Sequence, residues 1–336
     1  MRTARIKAEG AGYYHCVSRV VDRQKKFGEV EKEKFRTMMR KVEQFSGVQI
    51  LTYCVMSNHF HILVHVPEPA EVSDKELVRR LKMLYQPLLV KAFARELEDA
   101  RAAGDEKRVA FLRDRYLSRM YDVSEFMKTL KQRFSVWYNR NRGRVGTLWE
   151  ERFKSILVQG SENALITMAS YIDLNPVRAG LVQDPKDYRY SGYGEAVGGS
   201  KVAREGLGLV MLTLIRDRVW GQVSHKYRRL LYVSGEQTVG AGGEVRKAGF
   251  SPEKVEQVLA EDGRLSTPEA LRCGVRYFTD GAVLGAKEFV DGVFEKHRRE
   301  FGARRKTGAR AMRWGEWSGL CTMRDLRMKV VSMSER

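Results

Sequence analysis

The spacing of apolar and polar positions changes period several times along the chain. Residues 13–21 (Tyr-Tyr-His-Cys-Val-Ser-Arg-Val-Val) are rich in aromatic and β-branched side chains, which predicts a strand. From Glu29 to Phe45, Phe35, Met38, Met39 and Val42 recur at helical spacing. Val48 to Met56 predicts a second strand, Ser57-Asn58 a turn, and His59 to Val66 a third strand stopped by Pro67 and Pro69. These two strands form a hairpin. Asp74 to Arg119 is charged and mostly helical, with breaks near Pro87 and Gly104. Ser124 to Asn139 predicts a further helix, followed by the basic loop Asn139-Arg-Asn-Arg-Gly-Arg-Val-Gly146. Phe153 to Val158 reads as a fourth strand, and Ser161 as the N-cap of a helix that ends before Pro176.

The order β-α-β-β-α-β, then a helix, fits a ferredoxin-like α+β sandwich, an antiparallel sheet with helices on one face. The helical stretch 74–142 is longer than that plan needs, so about 74–120 is expected to be an insertion. A boundary is expected after about residue 200, where Gly198-Gly-Ser200 and the Gly235 to Gly243 stretch supply linkers. Residues 1–197 would then be one domain. Helical patterns at Leu207–Val233, Pro252–Glu261, Thr267–Phe278 and Ala286–Glu300 suggest a small all-helical module over 205–336. Its basic stretch, Arg298-Arg299 and Arg304-Arg305-Lys306, would suit nucleic acid, though charge runs usually just face water.

Composition narrows the partner. With 43% hydrophobic residues the chain can bury a core, which excludes wholesale disorder. Sixty-one Lys and Arg against 42 Asp and Glu leave a net charge of +19, which calls for a polyanion: nucleic acid or an anionic membrane surface. The apolar run Leu209 to Ile215 is far below the roughly 20 residues that span a bilayer. No apolar stretch follows the basic start Met1 to Lys7, so no secretory signal is expected. Cys16, Cys54, Cys273 and Cys321 form no CxxC pair, which argues against a zinc ribbon or disulfide framework and for a reducing, cytoplasmic compartment.

Chemistry concentrates in two segments. Three of the six histidines, His59, His61 and His65, fall on the predicted third strand. Residues i and i+2 of a strand share a face about 6.5–7 Å apart, so His59 and His61 could converge on one ion. His65 lies roughly 13 Å from His61 by the same rise and should not join it. The second segment is Ala169-Ser-Tyr-Ile-Asp-Leu-Asn-Pro-Val-Arg-Ala-Gly180, which places Tyr171 and Asn175 four apart on a helix. A tyrosine that loses its proton is a nucleophile, and an asparagine offers a neutral ligand oxygen. A packed aromatic before a helix stop would look the same. Tyr138, in Trp137-Tyr-Asn-Arg140, is a rival nucleophile.

Met56-Ser-Asn-His-Phe-His-Ile-Leu63 resembles the His-hydrophobic-His signature of single-tyrosine HUH transposases. Tyr13 to Arg19, Gly146-Thr-Leu-Trp-Glu-Glu-Arg-Phe-Lys-Ser155 and Tyr171 to Gly180 resemble the REP-associated tyrosine transposase branch of that superfamily. The similarity spans roughly residues 5 to 195. It implies a ferredoxin-like catalytic domain that cuts and rejoins single-stranded DNA beside a hairpin through a 5′-phosphotyrosine. Tyr171 would be the nucleophile, and His59, His61 and Asn175 the metal ligands. Such a mixed nitrogen and oxygen set suits Mg²⁺ or Mn²⁺. DNA would be held by Arg19, Arg140, Arg142, Arg144, Arg152, Lys154 and Arg178, with Trp149 a candidate for base stacking. The protein would act as a monomer or homodimer. A non-catalytic DNA-binding regulator and an RNA-binding or RNA-processing protein remain rival readings, since basicity does not separate RNA from DNA.

Overall fold

The computed structural model describes residues 5–211, 219–234, 238–239, 245–247, 278, 281–301, 305–312, 317 and 319–324. The expected helix at 252–261, nearly all of that at 267–278, Cys273 and Arg304 lie outside them.

The first strands and helices follow the periodicity closely. Strand β1 is Gly12–Arg19, helix α1 Glu29–Ser46, β2 Gln49–Val55 and β3 His59–Val66. Gly47 ends α1 in the left-handed region (φ 72°), a conformation that spares a glycine the Cβ clash, and β2 begins two residues later. β3 pairs antiparallel with β2 on one side and β1 on the other.

Three helices follow, α2 (Asp74–Leu81), α3 (Pro87–Ala102) and α4 (Glu106–Leu117), in the span expected to be an insertion. Their apolar faces form a separate core around Leu77, Leu81, Val90, Phe93, Leu97 and Leu112, with Phe45 of α1 joining it. Then come α5 (Val123–Asn141), β4 (Lys154–Val158), α6 (Glu162–Asp173) and the short turn α7 (Asn175–Arg178). Ser161 stands at the N-cap of α6 as expected, but its side chain makes no capping hydrogen bond.

The sheet is covered on both faces rather than one. Its interior strands are buried almost throughout, β3 included, so alternate residues need apolar cover on each side. On the Phe60 face, Phe35 of α1 meets Phe60 with ring centroids 4.5 Å apart, and Phe134 of α5 meets Phe35 at 5.2 Å. On the His61 face lies α6, where the Thr52 hydroxyl donates to Asp173 at 2.9 Å.

Beyond α6 come α8 (Gly192–Val197), α9 (Lys201–Val210) and α10 (Trp220–Ser234). Helix α9 presses on edge strand β2 so closely that a Cβ on Gly206 would stand 2.4 Å from the Ile50 carbonyl oxygen. A two-stranded ribbon pairs β5 (Thr238–Val239) with β6 (Val245–Lys247). The C-terminal part departs from the all-helical expectation. It contributes β7 (Gly281–Gly285), α11 (Lys287–Lys296), β8 (Arg310–Ala311) and β9 (Cys321–Arg324). The three strands extend the same sheet, giving seven strands in the order β2-β3-β1-β4-β7-β9-β8. Every pairing in it is antiparallel except β4 with β7. Short apolar runs such as Gly-Ala-Val-Leu-Gly carry no period that separates strand from helix, which is why the pattern alone suggested helices.

Candidate active site

Register builds the site. On β3, His59 and His61 stand opposite Arg19 and Val17 of β1, and paired residues of antiparallel strands share a face. That face therefore presents His15, Val17 and Arg19 beside His59 and His61. The rings of His59 and His61 lie 5.0 Å apart, nearly perpendicular. His65 falls farther along, stacked on Tyr13 at 4.5 Å with Nδ1 2.8 Å from Gln49 Oε1.

Helix α6 delivers Tyr171 onto this face within one chain. Its ring meets His61 edge-on at 5.8 Å and His15 at 6.2 Å. Phe278 packs on it at 4.6 Å, and the Arg178 guanidinium lies 4.3 Å from the ring centroid. Arg178 also donates to the Tyr171 carbonyl at 2.6 Å, so the turn after α6 folds its cation back over the tyrosine. Such a cation favours phenolate over phenol and attracts phosphate.

Asn175 donates its amide to the carbonyls of Tyr171 and Ile172 at 3.0 and 3.2 Å, capping α6. Its Oδ1 is the ligand-capable atom that this arrangement leaves. Two residues before it, buried Asp173 accepts hydrogen bonds from Thr52, Tyr227 Oη and the Tyr193 amide. Burial pushes the Asp173 carboxyl up to about 7 against the pull of those donors.

Both histidines are held as neutral bases. Burial, then the charges of Arg19 and Arg178, pull His59 down to about 4; burial and its neighbouring imidazoles and arginines pull His61 well below its usual range. His59 Nδ1 lies 2.6 Å from Asn58 Oδ1, an acceptor that requires the proton on Nδ1 and frees Nε2. His61 Nδ1 lies 2.9 Å from His15 Nε2, a contact in which either ring can donate. Among the described residues no group of three or more His, Cys, Asp or Glu is placed to hold a metal ion. The ligands expected from the sequence, His59, His61 and Asn175, offer imidazole nitrogens and an amide oxygen, a donor chemistry that suits a divalent ion.

The remaining candidates divide. Arg19, Arg152 and Lys154 lie where β1 ends and β3 and β4 begin, the end of the sheet that carries His59, and the latter two are exposed. Arg140 is exposed at the end of α5. Arg142 donates to buried Glu31 at 3.0 Å, so it ties α5 to the first turn of α1. Arg144 lies over the Tyr138 ring at 5.9 Å. Trp149 does not offer a face for stacking. It is 8% exposed, packs against Phe27, Phe60 and Phe134, and donates its indole N–H to Ser135 Oγ at 2.7 Å. An aromatic platform inside the Phe60 core cannot meet a base without unpacking. Tyr138 is likewise buried on α5, packed against Phe134 on the Phe60 side, away from the histidines.

The spacing arguments missed three participants: His15, the Asp173 network and Phe278. His15 was legible in part, since strand alternation puts it on the face of Arg19, but its meeting with His61 depends on register between distant strands.

A mostly antiparallel α+β sheet that sets a strand-borne imidazole pair against a helix-borne tyrosine is the arrangement expected of the single-tyrosine transposases. Residues 10–102 match the family described as "Transposase IS200 like". That stretch includes β1 and the histidine pair and stops short of Tyr171 and Asn175. The chain is also similar to a solved structure described as "Structure of the REP associates tyrosine transposase bound to a REP hairpin". The identity is 16%, over 60% of this chain and 90% of that one, with a TM-score of 0.38. No curated protein matches the chain.

Proposed function

We propose that this protein is a metal-dependent single-stranded DNA endonuclease and strand-transferase acting beside hairpin DNA, with Tyr171 as nucleophile. One observation carries the reading: Tyr171 packs against His61 and under Arg178 in the same chain. The Tyr171 phenol would give up its proton and attack the scissile phosphorus in line. The bond to the 3′ oxygen breaks, that oxygen leaves as a 3′-OH on taking up a proton, and the 5′ phosphate stays on the tyrosine. Attack by another 3′-OH reverses the exchange and rejoins the strand, so no nucleotide cofactor is consumed.

Arg178 stabilises negative charge first on the phenolate and then on the phosphoryl oxygens. His59 and His61, both neutral, and Asn175 through Oδ1 would hold Mg²⁺ or Mn²⁺, which supplies Lewis-acid polarisation of the phosphate. Arg19, Arg152, Lys154 and Arg140 provide the charge that engages the backbone. The fall of affinity with salt would follow their number.

A denaturing gel after incubation with labelled hairpin DNA and Mn²⁺ tests this. A protein band carrying the label is expected for wild type and not for Tyr171→Phe, with hairpin binding retained. An adduct in the Phe variant would refute the nucleophile assignment.

A further inference from the structure

His15 sits fully buried on β1, its ring nearly coplanar with that of His61, centroids 5.1 Å apart and its Nε2 2.9 Å from His61 Nδ1. Two neutral imidazoles that share one hydrogen bond have two arrangements. If His15 donates, His61 carries its own proton on Nε2 and has no lone pair there. If His61 donates, its Nε2 is a free base. The Nδ1 of His15 is buried with no hydrogen-bond partner among the described residues, so the choice falls to the His61 side. A ligand at His61 Nε2 needs the lone pair there, which calls for His61 to donate from Nδ1 and for His15 Nε2 to accept.

We infer that His15 is a positioning residue: its Nε2 accepts the Nδ1 proton of His61, turning the free lone pair of His61 to Nε2 for a divalent ion. The inference rests on the reading of His61 as a ligand given above. It makes His15 of β1 the residue that helps set the basicity of a ligand on β3. His15 also meets the Tyr171 ring edge-on at 6.2 Å, so one residue touches both halves of the site. Outer partners of this kind fix the ring orientation and tautomer of metal-bound histidine, and their loss costs about 10–100-fold in metal affinity.

The test begins with metal-free protein labelled with ¹⁵N-histidine, His61 being assigned by difference with His61→Gln. Long-range ¹H–¹⁵N spectra should show His61 protonated at Nδ1 and unprotonated at Nε2; a proton on Nε2 overturns the proposal. Mn²⁺ titration of two variants follows. His15→Gln keeps an acceptor oxygen near the Nε2 position and should bind within about threefold of wild type, whereas His15→Phe should lose about 10–100-fold. Wild-type affinity in His15→Phe overturns the proposal as well. Should the Phe variant fail to fold, the wild-type tautomer still decides. Should wild type bind no Mn²⁺, the ligand reading fails while the tautomer spectrum tests the His15–His61 bond independently.

Discussion

Tyr227 on α10 donates a 2.6 Å hydrogen bond to Asp173, two residues along α6 from Tyr171. Helix α10 thereby holds the helix that carries Tyr171, while Thr52 holds Asp173 to β2. Tyr227→Phe removes one donor to a buried carboxyl and should cost about 1–3 kcal/mol in urea unfolding. If α10 positions Tyr171, adduct formation should slow in the folded variant while hairpin binding holds. An unchanged unfolding midpoint would show that the bond does not matter.

The histidines of β3 separate cleanly into the His59–His61 pair and His65. His59→Ala should abolish Mn²⁺ binding by titration and the covalent adduct with it. His65→Ala should leave both intact, because His65 stacks on Tyr13 and bonds Gln49 instead. Equal loss in both variants would mean that the strand, not the site, had been disturbed.

Trp149 and the basic rim make opposite predictions. Trp149→Ala empties a packed aromatic cluster and should cost about 3–5 kcal/mol of stability. Arg152→Ala and Lys154→Ala, both exposed, should leave the melting temperature alone, weaken hairpin binding and each reduce the salt slope by about 1. Filter binding at several salt concentrations measures the slopes. A stable Trp149→Ala protein that selectively loses DNA would restore the stacking role.

A half-buried ion cluster gives a pH signature. Arg40 bridges Glu43 at 2.8 Å and Glu195 at 2.7 Å, and Tyr53 Oη donates to Glu195. Burial raises the Glu43 carboxyl, whereas the Arg40, Tyr53 and Ser200 hydrogen bonds hold that of Glu195 below its usual 4.5. The stability that Glu195 contributes is present above its unfolded pKa and is lost as pH falls through its lower folded value. Arg40→Met leaves two half-buried carboxylates without their cation and should cost about 2–4 kcal/mol near neutral pH. Both folded pKa values then rise, so the deficit should shrink as the carboxyls protonate toward pH 4.5 and below. Urea titrations of both proteins across that range would show it; a deficit independent of pH would count against the cluster.

How far the sequence could be read follows the range of the interactions. His59 to Val66 was readable as a strand to the residue because alternation and flanking prolines are local signals. Tyr171 and Asn175 were readable as helix neighbours for the same reason. His15 beside His61, and Tyr227 beside Asp173, join residues 46 and 54 positions apart, and no local period encodes such pairs. Trp149 misled because its neighbours in sequence are polar and basic while its neighbours in space are phenylalanines. Strand β7 was hidden by being short, apolar and paired with β4, far upstream in the chain.

That last pairing changes what a minimal fragment would be. β4 leads directly into the helix bearing Tyr171, and the Gln159 amide bonds the Leu284 carbonyl at 2.8 Å while its side chain accepts from Ala286. A chain cut after residue 200 would strip the flank from β4 and present a raw row of amides and carbonyls, an invitation to self-association. The strands beyond residue 280 are thus a seal on the sheet, and trimming them should yield aggregates rather than a smaller stable domain.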